Sequence, residues 1–167
     1  MRLLIPEIFE KVDKAESIEQ KKALLIQHNS PVLQDVLRIN FHPEVKMQLP
    51  EGDPPYNKDK MPPLGLADTN LYKEMRRFYT WISPPPNLNK IKRESLFIQL
   101  LESINLKEAE LVCAIKDKKL EQIYSSISED LVRQTFPQLL PEKAVVNEQQ
   151  EEPDSPKRSR GRPKKNA

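Results

Sequence analysis

Glycine is nearly absent from this sequence: three occur in 167 residues, against sixteen prolines, one cysteine and one tryptophan. Each scarcity excludes something. A lone thiol, Cys113, cannot form an internal disulfide, a thiolate metal cluster or a CxxC redox pair, and its neighbours in "LVCAI" mark it as a packed core residue. So few glycines leave no phosphate-cradling loop. No apolar run approaches the roughly 20 residues that a bilayer span requires. The start, Met1 to Ile5, is too short for the hydrophobic segment of a secretory signal. An intracellular protein without a membrane partner is expected, in the host cytoplasm or nucleoid if its source is viral or bacterial and in the nucleus if it is eukaryotic.

Arrangements that support catalysis are missing as well. His28 and His42 lie fourteen residues apart without a carboxylate pattern beside them, and read as helix-end or loop residues. Glu108 and Glu110, like Glu129 and Asp130, read as helix N-terminal charges favoured by the helix dipole. No enzyme activity, cofactor, metal site or small-molecule substrate is expected.

What is present is charge of both signs on a helical pattern. The formal net charge of +2 hides an asymmetry, because residues 157–167 hold six of the 27 basic residues and none of the 25 acidic ones. The rest of the chain is mildly acidic, so attraction for polyanions should come mostly from the C-terminal end.

Helix signals recur along the chain. Leu4, Ile5, Ile8, Phe9 and Val12 repeat at helical spacing, with Pro6 suited to a first turn. Ser17 with Gln20 has the spacing of a capping box, and Ser30-Pro31 starts a third helix that should end near His42-Pro43. The segment 42–67, "HPEVKMQLPEGDPPYNKDKMPPLGLA", carries two of the three glycines and reads as a long connection, either a binding element or a mobile insertion. Asp68 is the expected cap of the next helix, whose apolar stripe is Leu71, Met75, Phe78, Tyr79 and Ile82. After "SPPPNL", another helix brings Phe97, Leu100, Leu101 and Ile104 to one face. Asn105 opens a helix through "LVCAI" that is apolar on nearly every side and should be central. Leu120, Ile123, Tyr124 and Ile127 continue at helical spacing, and Ser128 caps a short last helix ending at Phe136-Pro137. The reading is an all-α body over residues 1–141 and a tail, 142–167, too polar to offset its ordering entropy and so disordered.

The opening "EIFEKVDKAESIEQKKALLIQH", the passage "VLRINFHPEVKMQLP" and the ending "LKEAELVCAIKDKKLEQIYSSISEDLVRQTFPQLLP" together resemble the N-terminal DNA-binding domain of ATP-dependent DNA ligases, especially the small viral ones. Phe136, Pro137, Leu139 and Leu140 match the aromatic, proline and aliphatic pair that close the last helix in that family. The family's turn glycine has no counterpart at Tyr124-Ser125-Ser126. The K-x-D-G lysine nucleophile of a ligase is also missing, so the resemblance is to the DNA-binding module without the catalytic domain. It implies a fold of many helices, and duplex or nicked DNA as partner during replication or repair.

The tail adds an independent argument. "RGRP", Arg160 to Pro163, reproduces the core of an AT-hook, a segment that lies extended in the minor groove. Narrow A·T-rich grooves are strongly negative, so Arg160 and Arg162 gain electrostatic energy there. Gly161 lets the backbone approach the groove floor, and Pro163 favours an extended path out. Lys157, Arg158, Lys164 and Lys165 then suit flanking phosphates. The alternative is a generic basic tail that aids solubility or nuclear import.

For the body, two sets of DNA contacts are expected. One joins Lys116, Lys118 and Lys119 to the N-terminus of the helix begun by Ser128. The other is a strip of Arg76, Arg77, Lys90, Lys92 and Arg93 flanking the central break. The sequence thus points to a non-catalytic DNA-binding accessory protein. The rival is an adaptor whose body docks on a replication or transcription protein while the tail holds it near DNA.

Overall fold

The computed structural model describes residues 2–63 and 65–143, and within them every regular element is helical. The first three helices form where the caps place them. In α1 (Ile5–Lys14), Glu7 Oε2 accepts the Leu4 N–H at 2.7 Å, and Ile5, Ile8, Phe9 and Val12 face inward. Ser17 caps α2 (Ile18–Gln27) by accepting the Gln20 N–H, while the Gln20 side chain returns to the N–H of Glu16, one residue before the expected partner. Ser30 caps α3 (Pro31–Phe41) through the Leu33 N–H at 3.1 Å. His28 and His42 sit at the C-terminal ends of α2 and α3, as the sequence suggests.

The next stretch departs from the expected single helix. Asn70, not Asp68, is the cap, accepting the Lys73 N–H. After α4 (Leu71–Glu74) the chain tightens into a 3₁₀ turn at Met75–Arg77 and resumes as α5 (Tyr79–Ile82). A 3₁₀ residue turns about 20° further than an α-helical one, so three of them rotate the following residues by roughly 60°. That rotation carries Trp81 into the core, 1% exposed, and swings Tyr79 out to 63% exposed. The stripe read from the sequence therefore fails at Tyr79. Trp81 is held edge-on between Phe78 and Phe97, with ring centroids 5.4 and 5.5 Å away, and its Nε1–H donates to Arg93 O.

Residues 90–140 complete the body. Asn89 caps α6 (Lys90–Ser103), and Asn105 caps α7 (Leu106–Lys116). The apolar periphery expected of α7 is used in full, since α1, α3, α6 and the short α8 (Leu120–Ile123) all pack on it. Glu108, in the first turn of α7, is more than a helix-end charge. It is fully buried, and its Oε1 accepts the Leu71 N–H at 3.1 Å, tying the starts of α7 and α4 together. Burial raises its carboxyl above the usual range, with the Leu71 N–H opposing. Helical spacing does not continue from α8 to Ile127: the helix stops at Ile123, which is exposed, and a turn returns Ile127 to the core. Ser128 caps α9 (Glu129–Thr135), which packs on α2. One apolar core runs through these elements from Ile5 to Leu140.

The long connection after α3 is a strap bound to the body rather than a mobile insertion over residues 42–57. Met47 and Tyr56 are buried in the core. Gln48 N–H donates to Trp81 O, Gly52 N–H to Asp117 Oδ2 and Asn57 N–H to Glu102 Oε1. Gly52 has φ +90°, a conformation open to glycine at little cost, which explains one of the few glycines in the chain.

Candidate nucleic-acid interface

The basic residues expected near the end of α7 do not form a phosphate-binding group. Lys116 has a side chain only 2% exposed, and its ammonium is spent on Pro50 O and Asp117 Oδ1 at 2.7 and 2.6 Å. Lys118 adopts φ 57° and aims its ammonium at the carbonyls of Ile39, His42 and Val45, closing the C-terminal end of α3. A lysine stem is long enough to reach carbonyls distant in sequence, and unpaired helix-end carbonyls attract a cation. Burial, and then the charge of Lys46, hold this ammonium below its usual value. Lys119 is exposed, but it lines a groove with Asp53, Glu110 and Asp117, where acids outnumber Lys58 and Lys119.

Ser128 is likewise committed. Its hydroxyl accepts the Leu131 N–H at 3.2 Å, and Glu129 and Asp130 occupy the first turn beside it. An anion arriving there meets two carboxylates. In the turn just before it, the Ser126 N–H donates to Asp13 Oδ1 at 2.9 Å and Lys21 Nζ donates to Ser126 Oγ, so the glycine-less turn is pinned by α1 and α2. The Ser126 N–H holds the Asp13 carboxyl below its usual range. The pairing of Lys116, Lys118 and Lys119 with Ser128 as one DNA face is therefore corrected: two of its three lysines are structural, and its helix start is acidic.

The second expected set fares differently. Arg76 and Arg77 are exposed on the 3₁₀ turn, with Arg77 paired to Glu74 at 2.9 Å. Lys90, Lys92 and Arg93 lie at the start of α6, where Lys90 is 3.9 Å from Glu94. Arg93 is half-buried, its main-chain carbonyl accepting the Trp81 indole N–H, and its Nε is closed off from solvent without a partner among the described residues.

Two adjoining open grooves draw part of this set together. One, of ≈ 610 Å³, is walled by Lys46, Lys90 and Arg93 with Glu44. The other, of ≈ 360 Å³, is walled by Arg38, Arg76 and Tyr79 with Asp35. Ile82 lines both grooves. Around the pair stand five cations and two carboxylates. One of those, Asp35, is 3.1 Å from Arg38, and burial raises its carboxyl while Arg38 opposes the shift. Arg77 and Lys92 do not line either groove.

Sequence pattern alone does not single out Arg38, Lys46 or Tyr79 as site residues. Arg38 looks there like any charge on the polar side of a helix, and Lys46 falls in the strap. Only packing brings them beside Arg76 and Lys90. The proposed minor-groove segment, Lys157 to Lys165, and the tail residues from 144 onward lie outside the described residues.

Among the described residues no helix is long and apolar enough to cross a membrane. No curated protein matches the chain. A family model described as a family of unknown function, DUF6433, matches residues 8–122. That span takes in both basic grooves and stops before Ser128. The chain belongs to the DUF6433 family.

Proposed function

We propose that this protein is a non-catalytic DNA-binding accessory factor of replication or repair, gripping duplex or nicked DNA with the grooved face of its body and with its C-terminal basic segment. The observation that carries the reading is the ring of Arg38, Lys46, Arg76, Lys90 and Arg93 around two grooves that share Ile82. Clustered cations at a concave surface focus a positive potential and raise the local concentration of a polyanion. The likeness to the DNA-binding module of DNA ligases supports the same partner, although the cations involved are those near the central break and not those after α7. The "RGRP" segment supplies a second, separately tethered attachment suited to an A·T-rich minor groove.

The test is a titration of intact, nicked and single-stranded DNA with the full chain and with a variant carrying Arg38→Ala, Lys46→Ala, Arg76→Ala and Lys90→Ala. Each duplex phosphate that the variant no longer neutralises should flatten the log–log salt slope by about 0.9. An unchanged slope and affinity in the quadruple variant would remove the body from DNA recognition.

An adaptor role is the second reading, favoured by the groove of Asp53, Glu110 and Asp117 on another part of the surface. Such a groove suits a basic segment of a partner protein. In that case reversing Glu110 to Lys abolishes partner capture and leaves DNA affinity intact.

A further inference from the structure

We infer that the grooved face takes an unpaired stretch of nucleic acid, with Tyr79 as the platform on which a base stacks. The inference rests on the DNA-binding reading above and adds to it: beside the duplex phosphates that the cations hold, the face accepts an unpaired stretch on Tyr79. Tyr79 is 63% exposed, unlike Phe78, Trp81 and Phe97 of the same region, which are all sealed into the core. A single exposed aromatic means little by itself. This one lies in the wall of a groove that also holds Arg38 and Arg76, and a second groove that shares Ile82 with it holds Lys46, Lys90 and Arg93. Its footing is rigid, because Met75 and Phe78 in the same groove are buried beside it.

The chemistry of this combination favours single strands. In a duplex the base faces are covered by their neighbours, so a protruding ring meets only sugars and phosphates. In a single strand the faces are available, and an aromatic ring flanked by cations offers both components that such a strand binds, a stacking surface and a path for the phosphates. The occupant to which the charges commit is a polyanion, since five cations and two carboxylates line the grooves, and the Arg38–Asp35 and Lys90–Glu94 pairs still leave Lys46, Arg76 and Arg93 without an ion pair among the described residues. A neutral or basic peptide would leave that excess unmatched.

The test uses full-length protein in which Arg160→Ala and Arg162→Ala suppress the tail contribution. Fluorescence anisotropy is measured on a 15-nucleotide oligo-dT, the matching oligo-rU and a 15-base-pair duplex, at one salt concentration. Tyr79→Ala should weaken single-strand binding by about 5- to 150-fold, the range of one missing base stack. Tyr79→Phe should stay within about twofold of the parent, since the ring is kept. Duplex affinity should change by less than about twofold in both. An added oligo-dU arm, which differs from oligo-rU only in the 2′-hydroxyl, shows whether the sugar matters. Oligonucleotides carrying 5-iodouracil should photo-cross-link to the peptide that contains Tyr79. Because that side chain points to solvent, both variants should keep the parent far-UV circular dichroism. Equal single-strand affinity for Tyr79→Ala and parent overturns the stacking platform. If Arg38→Ala with Arg76→Ala still weakens binding in that case, DNA binding by the face survives alone. If those substitutions are also silent, both readings fall.

Discussion

The ammonium of Lys118 donates to the main-chain carbonyl of His42 at 2.8 Å, across 76 residues of sequence. It also takes the carbonyls of Ile39 and Val45, so one side chain closes α3 and anchors the first residues of the strap. Lys118 does this from a left-handed backbone conformation, φ 57°, that disfavours every residue with a Cβ. Two opposing effects therefore meet at one position. Lys118→Met, which keeps the stem and removes the donors, should lower stability by about 1–2 kcal/mol after allowance for partial exposure. Lys118→Gly loses the same bonds but relieves the backbone, and should be about 1 kcal/mol more stable than Lys118→Ala. Urea unfolding of the three variants measures both differences. A structural lysine also predicts DNA affinity within about twofold of the parent for Lys118→Met, where removing a phosphate-binding cation would exceed that at low salt.

Glu108 makes a pH-dependent prediction. Its carboxyl is raised above the usual 4.5 by burial, opposed by the Leu71 N–H and reinforced by the charge of Glu7. Between the usual value and the raised one, the folded protein holds a proton that the unfolded chain has released. Stability must therefore fall as pH rises through that window. Glu108→Gln cannot ionise, and its amide oxygen can still accept the Leu71 N–H. Thermal midpoints from about pH 4 to pH 8 should show the decline in the parent and a flatter profile in Glu108→Gln. A parallel pair of profiles would place the titrating group elsewhere.

Cys113 should be a slow thiol. Burial pushes its value up to about 11, and Asp53 adds to the shift. At roughly pH 8 the thiolate fraction is then small, and the packed side chain adds a steric barrier. Ellman's reagent should react with the native protein far more slowly than with protein in concentrated guanidinium chloride, and Cys113→Ser should abolish the signal in both. Equal rates would mean that the thiol is open to solvent in the folded state.

The tail predicts a contrast between two kinds of cation. If "RGRP" reads a narrow groove, Arg162→Ala and Gly161→Leu should each lower the preference for A·T-rich over G·C-rich duplex. Gly161→Leu does so with every charge preserved. Lys165→Ala should weaken both duplexes about equally, because phosphates carry no sequence information. Titration of the parent and these three variants against matched duplexes decides it, and equal losses on both duplexes for Arg162→Ala would reduce the segment to a generic basic tail.

Caps and periodicity carry most of the helical architecture. Ser17, Ser30, Asn105 and Ser128 each accept a backbone N–H in the first turn, as their places in the sequence lead one to expect. The centrality of α7 is legible because its apolar residues occur on nearly every side of the helix. What local pattern cannot reveal is the slip at Met75–Arg77, since a 3₁₀ turn changes the period without changing residue types. An unbroken helical stripe consequently takes in Tyr79 and leaves out Trp81. Lys116 and Lys118 mislead for a different reason: a run of cations looks solvated until a strap from elsewhere in the chain supplies carbonyls. The grooves are half legible, through Arg76, Lys90 and Arg93. Arg38 and Lys46 join them only through packing.

The strap ties three parts of the body together. Its amides at Gln48, Gly52 and Asn57 are bonded to α5, to the residue after α7, and to α6 in turn. The Gly52 and Asn57 amides end on side-chain carboxylates that can rotate away, whereas the Gln48 amide ends on a main-chain carbonyl next to the buried Met47. A proline-rich segment without regular structure would ordinarily exchange its amide hydrogens by local fraying. Here the Gln48 proton should exchange only when Met47 leaves the core, more slowly than those of Gly52 and Asn57, so a connection with almost no helix of its own behaves at that point as part of the helical core.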